Sequence, residues 1–166
     1  MKTLLLIRHA KSSWSDPALP DRERPLSGRG RRAARKMGRR LAKRALLPEL
    51  ILASPAVRAL KTARLIARRL RYPRRDILIH EGLYACTPAD LLRTVQGLDD
   101  GLQRVMLIGH NPEIEAFAHG LCSHITHMPT CAVARLTFDT DSWANVGKAA
   151  LLEMQFDCPK RNANER

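Results

Sequence analysis

Several things are scarce in this chain. Aromatic side chains make up only 4% of the 166 residues. A core must therefore be built from Leu, Ile, Val and Ala, and no run of interleaved aromatics offers nucleic-acid bases a stacking platform. The four cysteines, Cys86, Cys122, Cys131 and Cys158, form no C-x-x-C pair and no even ladder, which argues against a disulfide scaffold and for free thiols. No apolar run approaches the ~20 residues of a membrane span. "MKTLLLI" resembles the start of a signal peptide, but charged residues follow at once. These absences lead us to expect a cytoplasmic monomer with no membrane partner, folded as a single domain over residues 1–158 with a polar tail at 159–166. There is also no G-x-x-x-x-G-K loop and no carboxylate cluster suited to magnesium, so neither cofactor nor metal is expected.

Acidic residues are outnumbered, 16 against 29 Lys and Arg, for a formal charge of +13. Such a balance suits an anionic partner: nucleic acid, a membrane surface or a phosphorylated substrate. The densest basic stretch is "RGRRAARKMGRRLAKR", residues 29–44, where Ala34, Met37, Leu41 and Ala45 recur at helical spacing between the arginines. It reads first as a solvated helix face. A nucleic-acid surface finds no support in a zinc finger, an RNA-binding aromatic motif or a helix-turn-helix pattern. His119, Cys122, His124 and His127 fall close together in "HGLCSHITH", but their spacing matches no common zinc pattern, and a loop or helix end is the plainer reading.

Strands and helices alternate along the chain. Residues 3–7 form a continuous apolar run, the mark of a strand buried on both faces; "ELILAS" reads as a second buried strand, "DILIH" as a third strand and "RVMLIGH" as a fourth. Helices are expected after Ser27, ending near Leu46, and after Ser54-Pro55, Thr87-Pro88 and Asn111-Pro112, each polar residue serving as a cap. "CAVARLTF" and "ALLEMQF" read as two final antiparallel strands at a sheet edge. The fold class is thus α/β: a three-layer α/β/α sandwich around a mainly parallel sheet of about six strands.

In such a sheet ligands bind beyond the carboxyl ends of the strands. Those ends carry Arg8-His9, Ser54 with Arg58 one turn onward, His80-Glu81, and His110-Asn111. Any one of them has a dull explanation, but their convergence on one rim points to phosphoryl chemistry. Arginine forks match phosphoryl oxygens at any working pH. A neutral imidazole is a competent nucleophile, a second can donate where charge accumulates, and a carboxyl group can protonate a leaving atom. Arg8 beside His9 also disfavours the imidazolium form. Helix starts near Ser54 and Asn111 would turn positive dipole ends to the same rim.

"LIRHAKS", "SPAVRALKTA" and "LIGHNP", in that order, resemble the histidine phosphatase superfamily. The "RHA" form followed by "DRERPLSGRG" resembles its SixA-type phosphohistidine phosphatases over nearly the whole chain. The resemblance implies an α/β/α sandwich without cofactor, phosphorylation of His9 as a covalent intermediate, a phosphate pocket of Arg8, Arg58 and His110, Glu81 as proton donor, and substrate contacts from Ser12 and Ser13. Lys61 stands where the family commonly carries Gln and is expected to face solvent. Lys11 stands where "RHG" relatives often carry Glu and is given no part in phosphate binding. The expected activity is a metal-independent phosphatase acting on a phosphorylated protein, a phosphorelay component among the possibilities, or on a phosphoester. A mutase of phosphoglycerates would need a longer chain. The contrasting class is a non-catalytic basic module binding phosphoprotein or nucleic acid.

Overall fold

The computed structural model describes residues 1–160; residues 161–166, part of the expected tail, lie outside the described residues. One six-stranded sheet organises the chain. Its strands are β1 (Lys2–Arg8), β2 (Leu50–Ala53), β3 (Leu78–Ile79), β4 (Arg104–Gly109), β5 (Val133–Phe138) and β6 (Leu151–Asp157), in the spatial order β3-β2-β4-β1-β5-β6. The first four strands run parallel, while β5 is antiparallel to β1 and β6 to β5. The α/β class and the antiparallel edge are as the strand pattern indicates.

The unbroken apolar runs have a direct cause. Leu5 and Ile7 of β1 and Met106 and Ile108 of β4 face one layer, packed by α1 (Gly28–Lys43) and α2 (Val57–Leu70). Leu4, Leu6, Val105 and Leu107 face the other, packed by α3 (Pro88–Gln96) and α4 (Glu113–Leu121). Successive side chains of a strand point to opposite faces, so a strand covered on both sides is apolar at every position. In α1 the residues Ala34, Met37 and Leu41 are buried and the arginines between them face outward. Gly38 lets α2 approach closely: a Cβ there would lie 3.2 Å from the Cα of Ile66.

Four expectations are corrected. The third strand holds only Leu78–Ile79, both about half exposed at the sheet edge, because Arg74–Asp76 turns as a 3-10 segment instead. Helix α1 ends at Lys43 rather than near Leu46, since Ala45 adopts a left-handed φ of 54°. Ser54 does not cap α2, which begins at Val57. Its N–H still belongs to the sheet, donating to the Ile108 carbonyl at 3.1 Å. Asn111 likewise does not cap α4; its amide donates to Glu115 and to the Met128 carbonyl. Ser27 and Thr87 do cap α1 and α3, Thr87 within a capping box with Asp90.

The four cysteines are free thiols. His119 Nδ1 donates to the Ile125 carbonyl at 2.9 Å in the turn after α4, Cys122 is the C-cap of that helix, and His127 pairs with Glu115. No group of three or more His, Cys, Asp or Glu among the described residues could hold a metal ion. No helix among them is long and apolar enough to cross a membrane.

Candidate active site

The carboxyl ends of β1, β2 and β4 open onto a cavity of about 430 Å³. His9 follows the last residue of β1 and His110 the last residue of β4, which are neighbouring strands in register, Arg8 opposite Gly109. The two imidazoles therefore meet, with ring centroids 5.1 Å apart. Arg58, in the first turn of α2, reaches between them: its Nε donates to His9 Nε2 and its Nη2 to His110 Nδ1, each at 3.4 Å. All three residues are buried.

The hydrogen bonds fix the tautomers. The Ala10 carbonyl can only accept, so the His9 proton sits on Nδ1, which donates to it at 2.7 Å. The Nε2 lone pair accepts from Arg58 Nε, and both residues line the cavity. A guanidinium can only donate, so His110 Nδ1 is unprotonated and its Nε2 donates to Ser54 Oγ at 2.7 Å. Both rings are held neutral. Burial, with Arg58, Arg8 and Arg24 adding repulsion, pushes the His9 imidazole down to about 4. Burial, then the neighbouring His9 and Arg58, pushes His110 down to about 3. Buried in this tautomer, His110 presents no N–H to the cavity.

Arg8 lines the cavity and is anchored by Nη1 donating to the Met128 carbonyl at 3.0 Å. Ser12 also lines it, its Oγ accepting from Arg24 at 3.1 Å. The structure does not bring two of the expected residues together with these. Ser13 is not among the lining residues and pairs with Ser15. Glu81 opens a 3-10 turn after β3, where its exposed carboxylate pairs with Arg22 at 2.8 Å outside the cavity. Lys61 is exposed and away from the cavity, as expected. Lys11, given no part in the sequence reading, lines the cavity mouth.

Sequence reasoning missed a second arc of the site. Arg24, buried, adds a third guanidinium beneath the exposed Trp14, whose ring lies 3.5 Å from the Arg24 guanidinium carbon. Asp21 holds this arc in place. Its carboxylate accepts from Tyr84 at 2.7 Å, Arg24 at 2.7 Å and Arg58 at 3.0 Å, and its carbonyl accepts from Arg58 at 2.6 Å. The Tyr84 bond above all, with Arg58 and Arg24, holds the Asp21 carboxyl down to about 2. Glu113, at the start of α4, is the remaining carboxylate lining the cavity. "DRERPLS" carries two of these residues, Asp21 and Arg24, but nothing local says that this loop folds back over strand ends.

The comparisons agree with the geometry. The family model for the histidine phosphatase superfamily (branch 1) matches residues 4–84. An uncharacterized chloroplastic protein of Arabidopsis thaliana is 30% identical over 151 residues, which cover 86% of this chain and 69% of its own. A structure from Agrobacterium tumefaciens, named as a candidate phosphohistidine phosphatase SixA, has a TM-score of 0.78 at 27% identity, covering 93% of this chain and 97% of that one. The protein histidine phosphatase SixA complexed with tungstate shares the fold, with a TM-score of 0.79 at 24% identity over 95% of this chain and 97% of its own. With its paired strand-end histidines bridged by one arginine, the chain belongs to the histidine phosphatase superfamily and has the SixA-type fold.

Proposed function

We propose that this protein is a phosphatase that works through a phosphohistidine intermediate on His9, and that its substrate is phosphohistidine carried by another protein. The observation that carries the reading is the state of His9: buried, neutral, its proton pinned on Nδ1 by Ala10, its Nε2 aimed at a cavity lined by three guanidinium groups. A module that only binds phosphate has no need to desolvate an imidazole at the centre of its cations. The exposed Trp14 and Lys11 leave the cavity open at its mouth, which suits a phosphoryl group presented on a macromolecule.

In the proposed reaction Arg58 turns from His9 to the phosphoryl oxygens, and the freed His9 Nε2 lone pair forms the new N–P bond as the substrate's P–N bond breaks. The electron pair goes to the leaving imidazole nitrogen, which takes a proton from water. Arg8, Arg24 and Arg58 hold the non-bridging oxygens, their charge independent of pH. The His9 proton stays on Nδ1 throughout, donated to the Ala10 carbonyl. Water then attacks phosphorus, releasing inorganic phosphate and restoring neutral His9. His110 keeps Arg58 in place, and can donate to the phosphoryl group only if its proton moves to Nδ1 when Arg58 turns to the substrate. A leaving imidazole departs more readily than an alkoxide, so Glu81 has no required part in this step.

Incubation with an aryl phosphate in EDTA, wild type beside His9→Ala, tests the reading. Turnover should persist under chelation and fall by at least ~1000-fold in the variant, as for loss of other catalytic nucleophiles. An acid-labile, base-stable phosphoenzyme should accumulate in wild type only. Turnover retained by His9→Ala would remove His9 as nucleophile, and loss under EDTA would point to a metal enzyme.

A further inference from the structure

The catalytic cavity does not end at its mouth. Lys11 and Thr130 also line a second depression of about 230 Å³, together with Arg29, Pro129 and Lys160. Arg29 and Lys160 in turn border a third, of about 380 Å³, whose other walls include Arg32, Arg35 and Arg39. The three form one track from the phosphoryl site along the outer face of α1. The arginines at 29, 32, 35 and 39 recur at helical spacing, so a single face carries them all. None of these cations, Lys11 and Lys160 included, has an ion-pair partner among the described residues, whereas Arg40 and Arg44 on the adjacent face share Asp157.

We infer that this track is a docking groove for an acidic segment of the phosphorylated protein, lying next to the phosphorylated residue; the inference rests on the phosphatase reading above. Its length favours a peptide. From Arg29 to Arg39 the helix rises about 15 Å, the span of roughly four to five residues of extended chain. A chain whose phosphoryl group sits against His9 and which leaves over Lys11 enters the groove at Arg29. Arginine clusters of this kind recognise acidic and phosphorylated motifs. Nucleic acid fits less well, because no aromatic side chain lines either outer depression to stack a base.

The test compares histidine peptides phosphorylated with phosphoramidate, carrying either acidic or Ser/Gly residues beside the phosphohistidine, on each side in turn. At low salt the acidic flank should raise wild-type kcat/KM by about tenfold or more and lose most of that advantage at ~0.5 M salt. The ratio between acidic and neutral peptides should fall to near one in the triple variant R32E/R35E/R39E. It should fall partway in R32Q/R35Q/R39Q, whose thermal melt checks that the fold is intact. A wild-type ratio near one, or a ratio unmoved in both variants, overturns the groove. Anisotropy with the unphosphorylated acidic peptide reads the same groove without catalysis. If no phosphorylated probe is turned over, the phosphatase reading fails alone: peptide binding lost in the variants still supports the groove, and no binding to wild type refutes it. Tighter, variant-sensitive binding of a single-stranded oligonucleotide of equal charge would assign the track to nucleic acid instead.

Discussion

Two carboxylates near the cavity, Glu81 and Glu113, can be separated by experiment. Glu81 is exposed and paired with Arg22, while Glu113 lines the cavity. For a phosphohistidine peptide, Glu81→Gln should keep kcat/KM within about fivefold of wild type, since an exposed ion pair contributes ~1 kcal/mol or less. On an alkyl phosphate, whose alkoxide must be protonated as it leaves, Glu113→Gln should lose about 100-fold, the lower range for a general acid. An equal loss in Glu81→Gln would return the proton-donor role to that residue. The same pair shows what sequence can and cannot place. His9, Arg58 and His110 were legible because each sits on or one turn after a strand end, where the sheet alone decides position. Arg24, Asp21 and Tyr84 were not, because they arrive on loops whose path depends on tertiary contacts. Glu81 was misplaced for the same reason: the strand before it is too short to carry it to the rim.

At the scale of elements, the start of α1 is stitched to the loop that leaves β1. The Ser27 N–H and hydroxyl both donate to the Lys11 carbonyl, at 2.9 and 3.1 Å, and Ser12 bridges to Leu26. Gly30 makes this contact possible, for a Cβ there would come within 2.1 Å of the Lys11 carbonyl oxygen. Gly30→Ala sets two effects against each other. Helix propensity favours Ala by up to ~1 kcal/mol, whereas overpacking against backbone costs ~1–3 kcal/mol. With backbone as the obstacle the steric term should win, lowering the melting temperature by several degrees. The displaced loop carries Ser12, the partner of Arg24, so kcat/KM should fall as well. An unchanged or higher melting temperature with full activity would show that the loop gives way freely. The cap at Ser27 was readable because a serine before a helical pattern acts locally. Ser54 and Asn111 looked alike in sequence, but Ser54 is held in the sheet ladder and to His110, and the Asn111 amide bonds to Glu115 and Met128. Local signals find that a helix is coming; the neighbouring strand decides where it begins.

For the whole molecule, the neutral histidine pair ties global stability to pH. Both rings are held well below the ordinary imidazole value of ~6.5, at about 4 and about 3. The unfolded chain therefore takes up two protons, as pH falls below ~6.5, that the folded chain refuses. Stability rises with pH wherever the unfolded state binds more protons, so their contribution is complete above pH ~6.5 and is lost as pH falls through the folded values. Two such sites can supply a slope of at most about 2.7 kcal/mol per pH unit. The charge of +13 adds self-repulsion that grows in acid, but it acts almost equally on wild type and on a His9→Gln/His110→Gln variant. The difference between the two therefore isolates the pair. Urea midpoints at pH 7.5 and pH 5 should fall further in wild type than in the double variant. Equal falls would mean that the rings protonate within the fold, and that the desolvation which keeps His9 neutral is not held at acid pH.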